Sequence, residues 1–195
     1  MRVIQTDFKK TLNELQTILQ KDCEEDVLGY FICDKTNVII PAWNNIEKYN
    51  EEFVNRVNID KLFLPVKGGT IVTNTGDLGF FYMTKDMYSM WNTAIEKFLA
   101  KYLQDFYTID AYINGNDVLI DNKKFIGTAS GFIDNWHVFG CFISMNNDTT
   151  WLINKICLKE SKYKGFVGLN KYDVCPRKLI QAIINFSKRW EARAL

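Results

Sequence analysis

The sequence predicts an α+β fold: a mixed, largely antiparallel sheet with flanking helices. Its β-prone runs come in pairs joined by short turn dipeptides, as hairpins do. Its helical stripes fall between those pairs without the strand–helix–strand rhythm that builds a parallel sheet. A chain of 195 residues is long enough for one domain with a sizeable core and short for two, so residues 1–195 are expected to form a single domain.

Residues Asp7 to Gln20 place Phe8, Leu12, Leu15, Ile18 and Leu19 at helical spacing, with Thr6 or Asp7 as the N-cap. Leu28 to Cys33 and Val38 to Ile40 read as two strands around the turn Asp34-Lys35-Thr36-Asn37, the second stopped by Pro41. Ile46 to Val57 reads as a short polar helix with Tyr49, Phe53 and Val57 on one face, followed by a strand at Leu62-Phe63-Leu64. Two more β-prone runs, Ile71-Val72 and Leu78 to Met83, flank the turn Asn74-Thr75-Gly76-Asp77. Asp86 to Gln104 carries Met87, Met90, Trp91, Ala94, Ile95, Phe98 and Tyr102 as an apolar stripe, with Asp86 as cap. Ala111-Tyr112-Ile113, a hairpin over 116–127 and a β-rich stretch from Thr128 to Met145 follow. A short helix over 149–158 comes next, and a last helix runs from Pro176, in its first turn, to about Trp190.

Composition excludes several classes of function. The 24 basic and 23 acidic residues leave a net charge of +1, and no basic block is interleaved with aromatics, which argues against bulk nucleic-acid binding. No signal layout opens the chain and no apolar run approaches the roughly 20 residues of a transmembrane helix. No membrane partner is expected, and the protein is expected in the cytosol. Five widely spaced cysteines and a single histidine make a zinc site unlooked for. The thiols of Cys23, Cys33, Cys141, Cys157 and Cys175 read as small hydrophobes or bystanders in a reducing compartment.

Two stretches carry candidate chemistry. In Asn116-Asp117-Val118-Leu119-Ile120-Asp121-Asn122-Lys123-Lys124-Phe125-Ile126-Gly127, a turn dipeptide separates two apolar runs and Lys124 enters the second strand, with Phe125-Ile126 continuing it. A lysine fixed by a sheet can hold a phosphate or carboxylate in place. A solvated strand lysine has the same local sequence. Lys67-Gly68-Gly69-Thr70 puts two glycines between β-prone runs, where backbone N–H groups can approach an anion. A hairpin loop without a ligand would read the same way. His137 reads as structural or surface rather than catalytic, and Trp43 as core packing or the lining of an acyl tunnel.

With these residues in order, the chain resembles the lipoate-protein and biotin-protein ligase superfamily, most specifically in the spacing of Asn116, Asp117, Lys124 and Gly127, which is similar to its catalytic-lysine segment. Ile39 to Asn45, Gly68-Gly69-Thr70-Ile71-Val72 with Gly76-Asp77-Leu78, Lys124 to Ala129, and Lys164 to Leu169 are similar to further lipoate-ligase segments in the same order. The resemblance covers roughly residues 28 to 190 and is closer to lipoate than to biotin ligases, because the glycine loop lacks a Gly-Arg-Gly-Arg-x-Gly run. Departures are specific. Leu64-Pro65 stands where paired arginines precede the glycine loop, Lys67 replaces its first glycine, and Gly115 meets Asn116 with no arginine between them. The His-His-Gly stretch survives only as Val138-Phe139-Gly140, and no cysteine accompanies Lys164-Gly165, which speaks against a thioester route.

The resemblance implies the biotin/lipoate ligase catalytic-domain fold and a two-step reaction. A carboxylic acid, lipoate or octanoate, is activated by ATP with Mg²⁺ as an acyl-adenylate and passed to a lysine of a lipoyl-type carrier domain. It implies Lys124 as the catalytic cation and Gly68, Gly69, Thr70, Gly127, Thr128 and Ala129 as substrate or nucleotide contacts. Asn116 would bind adenylate or metal, Asp117 would do so or fix the turn, and Lys67 would stand in for a missing arginine without reproducing its bidentate fork. The lost arginines favour an alternative, a ligase-fold pseudoenzyme that binds a ligand or protein; a third reading is an adenylating enzyme with another acid or acceptor. Oligomeric state is left open.

Overall fold

Two runs, Leu78–Thr84 and Trp136–Ile143, are buried along their whole length with no polar-outward alternation, the pattern of strands covered on both faces. The computed structural model of the chain, which describes residues 1–20, 24–41, 49–64, 67–115, 117–146, 150–157 and 165–194, shows what covers them. In chain order the elements are β1 (Arg2–Gln5), α1 (Thr11–Gln20), β2 (Val27–Ile32), β3 (Asn37–Pro41), α2 (Glu51–Arg56), β4 (Asp60–Leu64), β5 (Ile71–Thr73) and β6 (Leu78–Thr84). There follow α3 (Trp91–Tyr107), β7 (Ala111–Asn114), β8 (Asp117–Ile120), β9 (Lys123–Lys124), β10 (Ile126–Ile133), β11 (Trp136–Ile143), α4 (Thr150–Ile156), a 3₁₀ turn (Leu169–Tyr172) and α5 (Pro176–Ala194).

The strands form a five-stranded sheet in the order β1-β2-β6-β11-β10, a three-stranded sheet β4-β3-β5 and a three-stranded sheet β7-β8-β9. Among the described strands only β1 with β2 and β3 with β4 run parallel, so the α+β, largely antiparallel architecture is the one the hairpin pattern implies. One face of the large sheet, with Phe80, Tyr82, Phe139 and Cys141, packs on α3, α5 and the β7-β8-β9 sheet. The opposite face, with Phe31, Phe81, Met83 and Phe142, packs on Ile39, Leu62 and Leu64 of the second sheet and on Phe8, Leu15 and Ile18. A third cluster, Val38, Ile40, Val54, Leu152 and Ile156, closes the outer face of that second sheet under α2 and α4. Trp91, fully buried at the start of α3, donates its indole N–H to Ser187 Oγ of α5 at 3.2 Å and so ties the two helices. No helix among the described residues is long and apolar enough to cross a membrane.

Several elements differ from the sequence reading. β1 was not expected; it pairs with β2 through Arg2 to Gln5. The third helix starts at Trp91 rather than Asp86, because Asp86 closes a turn instead, its carbonyl accepting from Ser89 N and its Oδ1 from Tyr88 N. Met87 and Met90 are accordingly exposed and not part of a core stripe. The buried face of α3 is Trp91, Ile95, Leu99 and Leu103, with Phe98 and Tyr102 on its flank. The second helix begins at Glu51, where Asn50 caps it by accepting from Phe53 N, later than the expected Ile46. The expected second strand of the Lys124 hairpin ends at Lys124; Phe125 leaves it, and Ile126 opens β10 in the large sheet. Trp43, Pro65, Asn116, Lys164 and Cys23 lie outside the described residues.

Neighbouring strands in the large sheet leave room for aromatic rings by placing glycine opposite them. Gly29 of β2 is the register partner of Phe81, and a Cβ on Gly29 would lie 1.8 Å from the Phe81 ring. Because Phe81 is itself buried between the two sheets, it has little room to yield. Gly29→Ala is therefore expected to cost about 1–3 kcal/mol by overpacking, measured by urea denaturation; an unchanged midpoint would show that the ring relocates freely.

Candidate functional site

The β8–β9 hairpin turns through Asp121 and Asn122, both with positive φ (52° and 62°), the backbone of the tight primed turn that suits a two-residue hairpin. Asn122 Oδ1 accepts from Tyr112 Oη at 2.6 Å and Asp121 Oδ2 from Tyr172 Oη at 3.2 Å, which anchors the turn to β7 and to the 3₁₀ turn. Lys124 lies opposite Leu119, and Asp117 sits two residues before Leu119, so both side chains share one face of the hairpin. Lys124 Nζ meets Asp117 Oδ1 at 2.5 Å, with the two side chains only 23% and 11% exposed.

The backbone of Lys124 is held as well. Its N–H donates to Gly165 O at 2.9 Å and its carbonyl accepts from Val167 N at 3.0 Å, so the segment after α4 runs alongside it as a parallel bridge at Phe166. Gly165, at φ 141°, makes this docking possible: a Cβ there would lie 2.5 Å from Thr150 Oγ1. The glycine loop docks on the neighbouring edge of the large sheet. Lys67 N donates to Ser130 O at 2.7 Å and Ser130 N to Lys67 O at 3.2 Å, and Gly68 packs over Ala129.

Between the two sheets at this end lies a cavity of about 80 Å³. Ile71, Ile126, Phe142, Ile153 and Phe166 make it largely apolar, Thr70 and Gly127 line it, and among the described residues Lys124 is its one basic lining residue. Asp77 also lines it. Its oxygens accept from Asn74 N and Met145 N at 2.7 Å and from Asn146 N at 3.2 Å, which pins the end of β11 to the β5–β6 turn. Burial pushes the Asp77 carboxyl up and these three donors oppose that.

The structure thus brings together Lys124, Asp117, Thr70 and Gly127 of the sequence candidates. Gly68 and Ala129 meet in the loop–sheet contact, Gly69 is exposed, and none of the three lines the cavity; the side chain of Lys67 is exposed and also outside that lining. Thr128, on the same face of β10 as Ile126, is outside the cavity lining, and its hydroxyl donates to Glu96 Oε1 of α3 at 2.8 Å. His137 lies between the rings of Phe132 and Phe139, at 4.2 and 4.0 Å, outside the cavity lining; burial pushes its pKa down, in keeping with a structural role.

Sequence reasoning did not single out Asp77, which lines the cavity, or Glu96, a buried carboxylate outside that lining. Glu96 is 5% exposed, and burial pushes its carboxyl up; the Thr128 hydroxyl opposes the shift, Asp117 adds to it and Lys124 opposes it. The signal was present in the helix. Leu99, Ala100 and Leu103 follow Glu96 at i+3, i+4 and i+7, which places it on the buried face once the stripe is taken through Ile95 and Leu99.

The sequence profile of the lipoyl protein ligase A/B catalytic domain matches residues 24–174. Lipoate-protein ligase 1 of Staphylococcus aureus is 24% identical over 145 residues, covering 73% of this chain and 44% of that protein. The chain therefore spans less than half the length of this curated relative. Among solved structures, P. falciparum LipL1 in complex with lipoate superposes at a TM-score of 0.73 and 17% identity, covering all of this chain and 63% of that one. A lipoate-protein ligase A bound with ATP gives 0.74 at 15% identity, with 97% and 84% of the two chains covered. A bipartite lipoate-protein ligase of Thermoplasma acidophilum, described with its E2 lipoyl domain, gives 0.73 at 14% identity, with 97% and 82% covered. At these identities the likeness establishes the lipoate/biotin ligase catalytic-domain fold.

The Asp117–Lys124 pair carries a thermodynamic expectation. Asp117→Ala removes a charge-assisted hydrogen bond and should cost about 1.5–3 kcal/mol in chemical denaturation. Combined with Lys124→Ala, the loss should fall short of the summed single losses by at least ~0.5 kcal/mol. Additive losses would mean that the two side chains are not coupled in solution.

Proposed function

The chain belongs to the lipoyl protein ligase A/B catalytic domain family, and we propose that it is a lipoate-protein-ligase-like enzyme that activates lipoate or octanoate with ATP and transfers the acyl group to a carrier lysine. The observation that carries this reading is Lys124, half-buried and fixed by sheet hydrogen bonds, lining a largely apolar cavity. The likeness to folds solved with lipoate and with ATP supports both substrates. The lipoyl domain described with the Thermoplasma ligase supports a carrier domain as acceptor.

In the first step a carboxylate oxygen attacks the α-phosphorus of ATP, an O–P bond forms, and pyrophosphate leaves. In the second, the amine of the carrier lysine attacks the acyl carbon, AMP leaves, and the amine gives up a proton. Both steps gather negative charge where carboxylate and α-phosphate meet. Lys124 would leave Asp117 to bridge those two groups, holding them in line and offsetting the developing charge, with no part in proton abstraction. Ile71, Ile126, Phe142 and Ile153 would take the acyl chain and keep water from it. Thr70 and Gly127 would frame the carboxylate end. Magnesium fits as a companion of the nucleotide, neutralising phosphate charge. A hard cation of that size is held largely by phosphate oxygens and water with one or two carboxylates, and Asp117 is the carboxylate paired to Lys124. Among the described residues no three His, Cys, Asp or Glu side chains converge.

A second reading follows from one observation: among the described residues, Lys124 is the one basic residue lining the cavity and is already paired, with Lys67 outside it. On that reading the ligase fold would bind an acid or a protein without turnover. The two readings part on pyrophosphate release in the presence of ATP, magnesium and lipoate, octanoate or biotin. The ligase reading expects release by wild type and a fall of about 100-fold or more for Lys124→Ala. Equal release by the two proteins, or none with any acid, would sink it; acid binding without release would favour the binding module.

A further inference from the structure

Five aromatic side chains form one continuous ladder across the outer flank of α3 and α5. Neighbouring ring centroids lie 4.9 Å apart from Phe106 to Tyr102, 5.7 Å from Tyr102 to Phe98, 4.6 Å from Phe98 to Phe186 and 6.2 Å from Phe186 to Trp190. Phe98, Tyr102 and Phe106 recur every four residues, which aligns them along one side of α3. Each of the five still reaches solvent, and Phe106 is 72% exposed. Single exposed apolar residues are ordinary, but a contiguous patch of them marks a contact surface. The platform is rigid, because the Trp91–Ser187 hydrogen bond ties the two helices in the core, so little order has to be gained on docking.

The charges beside the ladder select its occupant. Lys101 and Asp105 pair within α3 at 2.9 Å and are 75% and 47% exposed, and the exposed Lys97 lies one turn before Lys101. Along the helix the order is positive, positive, negative, so an antiparallel copy of the same helix presents the opposite order. We propose that this face is the interface of a two-fold symmetric homodimer, in which α3 of two copies runs antiparallel with Tyr102 at the two-fold axis. Phe98 of each copy then faces Phe106 of the other, and the most exposed ring of the ladder is covered. At 1.5 Å per residue, Asp105 of the second copy falls between Lys97 and Lys101, about 3 Å from each along the helix axis. A two-fold axis crossing both helices keeps these charges on one side of the ladder, so every contact forms twice. The cavity that Lys124 lines is on the other side of the large sheet, between it and the β4-β3-β5 sheet, and stays open in both copies. The pairing is therefore independent of what that cavity binds.

Sedimentation velocity of the full chain over about 1–200 µM, a range that titrates an interface of modest affinity, should show a species of twice the chain mass that grows with concentration. Phe106→Ser removes the most exposed ring without adding charge and should weaken the dimer by at least ~30-fold, the loss typical of a central interface aromatic. Because Phe106 is exposed in the single chain, the unfolding midpoint of that variant should not move. Lys101→Asp and Asp105→Lys should each weaken self-association by about 5–10-fold, since each sets like charges against one another across the two-fold. An equimolar mixture of those two variants should associate more tightly than either alone, because the acid-rich flank of one meets the base-rich flank of the other. A chain that stays monomeric to the top of that range would overturn the homodimer. A dimer that Phe106→Ser leaves intact, or charge variants that fail to complement each other in the mixture, would overturn the antiparallel pairing of α3.

Discussion

The ion pair between Lys124 and Asp117 is the contact around which the site is arranged, and its strength comes from what holds the two residues rather than from the charges alone. An exposed pair would be worth little after screening and side-chain entropy. Here the turn at Asp121-Asn122 sets the hairpin register, which puts both side chains on one face. The Gly165–Val167 segment then bonds the Lys124 backbone on its other side. The lysine is therefore presented by a locally three-stranded arrangement, and its flexible stem is the only part free to redirect the charge.

The other parts of the fold serve that placement at one remove. The chain changes sheets at Phe125, whose carbonyl accepts from Ser144 N at 2.8 Å, so the hairpin and the large sheet are joined one residue after the lysine. Asp77 fixes the end of β11 from the β5–β6 turn through backbone donors. As a result the apolar floor of the cavity and the cation at its side are set by neighbouring backbone hydrogen bonds, the condition under which a preorganised charge is useful.

Much of this was legible in the sequence. Asp121-Asn122 between apolar runs announced the hairpin, and the fixed separations among Asp117, Lys124 and Gly127 announced what sat on it. Three parts were not legible, for physical reasons. The two-residue length of β9 was hidden because Phe125 and Ile126 are β-prone wherever they lie, and only tertiary pairing assigns them to separate sheets. Met87 and Met90 extended the α3 stripe at the right spacing, but the Asp86 turn held them out of the helix. That error rotated the expected core face of α3 and concealed Glu96. The side chain of Lys67, adjacent to the glycines in sequence, follows a β-bridge outward, a direction that adjacency does not reveal.

The way charge is used here separates affinity from orientation. In the proposed acid-binding role, an incoming carboxylate would have to offer Lys124 what Asp117 already supplies at 2.5 Å, so the exchange of one carboxylate for another would gain little by itself. The gain has to come from the chain that follows. At about 0.8 kcal/mol for each buried methylene, five to seven of them would supply roughly 4–6 kcal/mol, against a cavity of about 80 Å³ that must widen to receive them. Acids would then be selected by apolar fit to Ile71, Phe142 and Ile153, while Lys124 decides only which end enters last and where it points. Under that proposed role, a fold without those arginines would keep an acid site by apolar fit, with Lys124 supplying orientation.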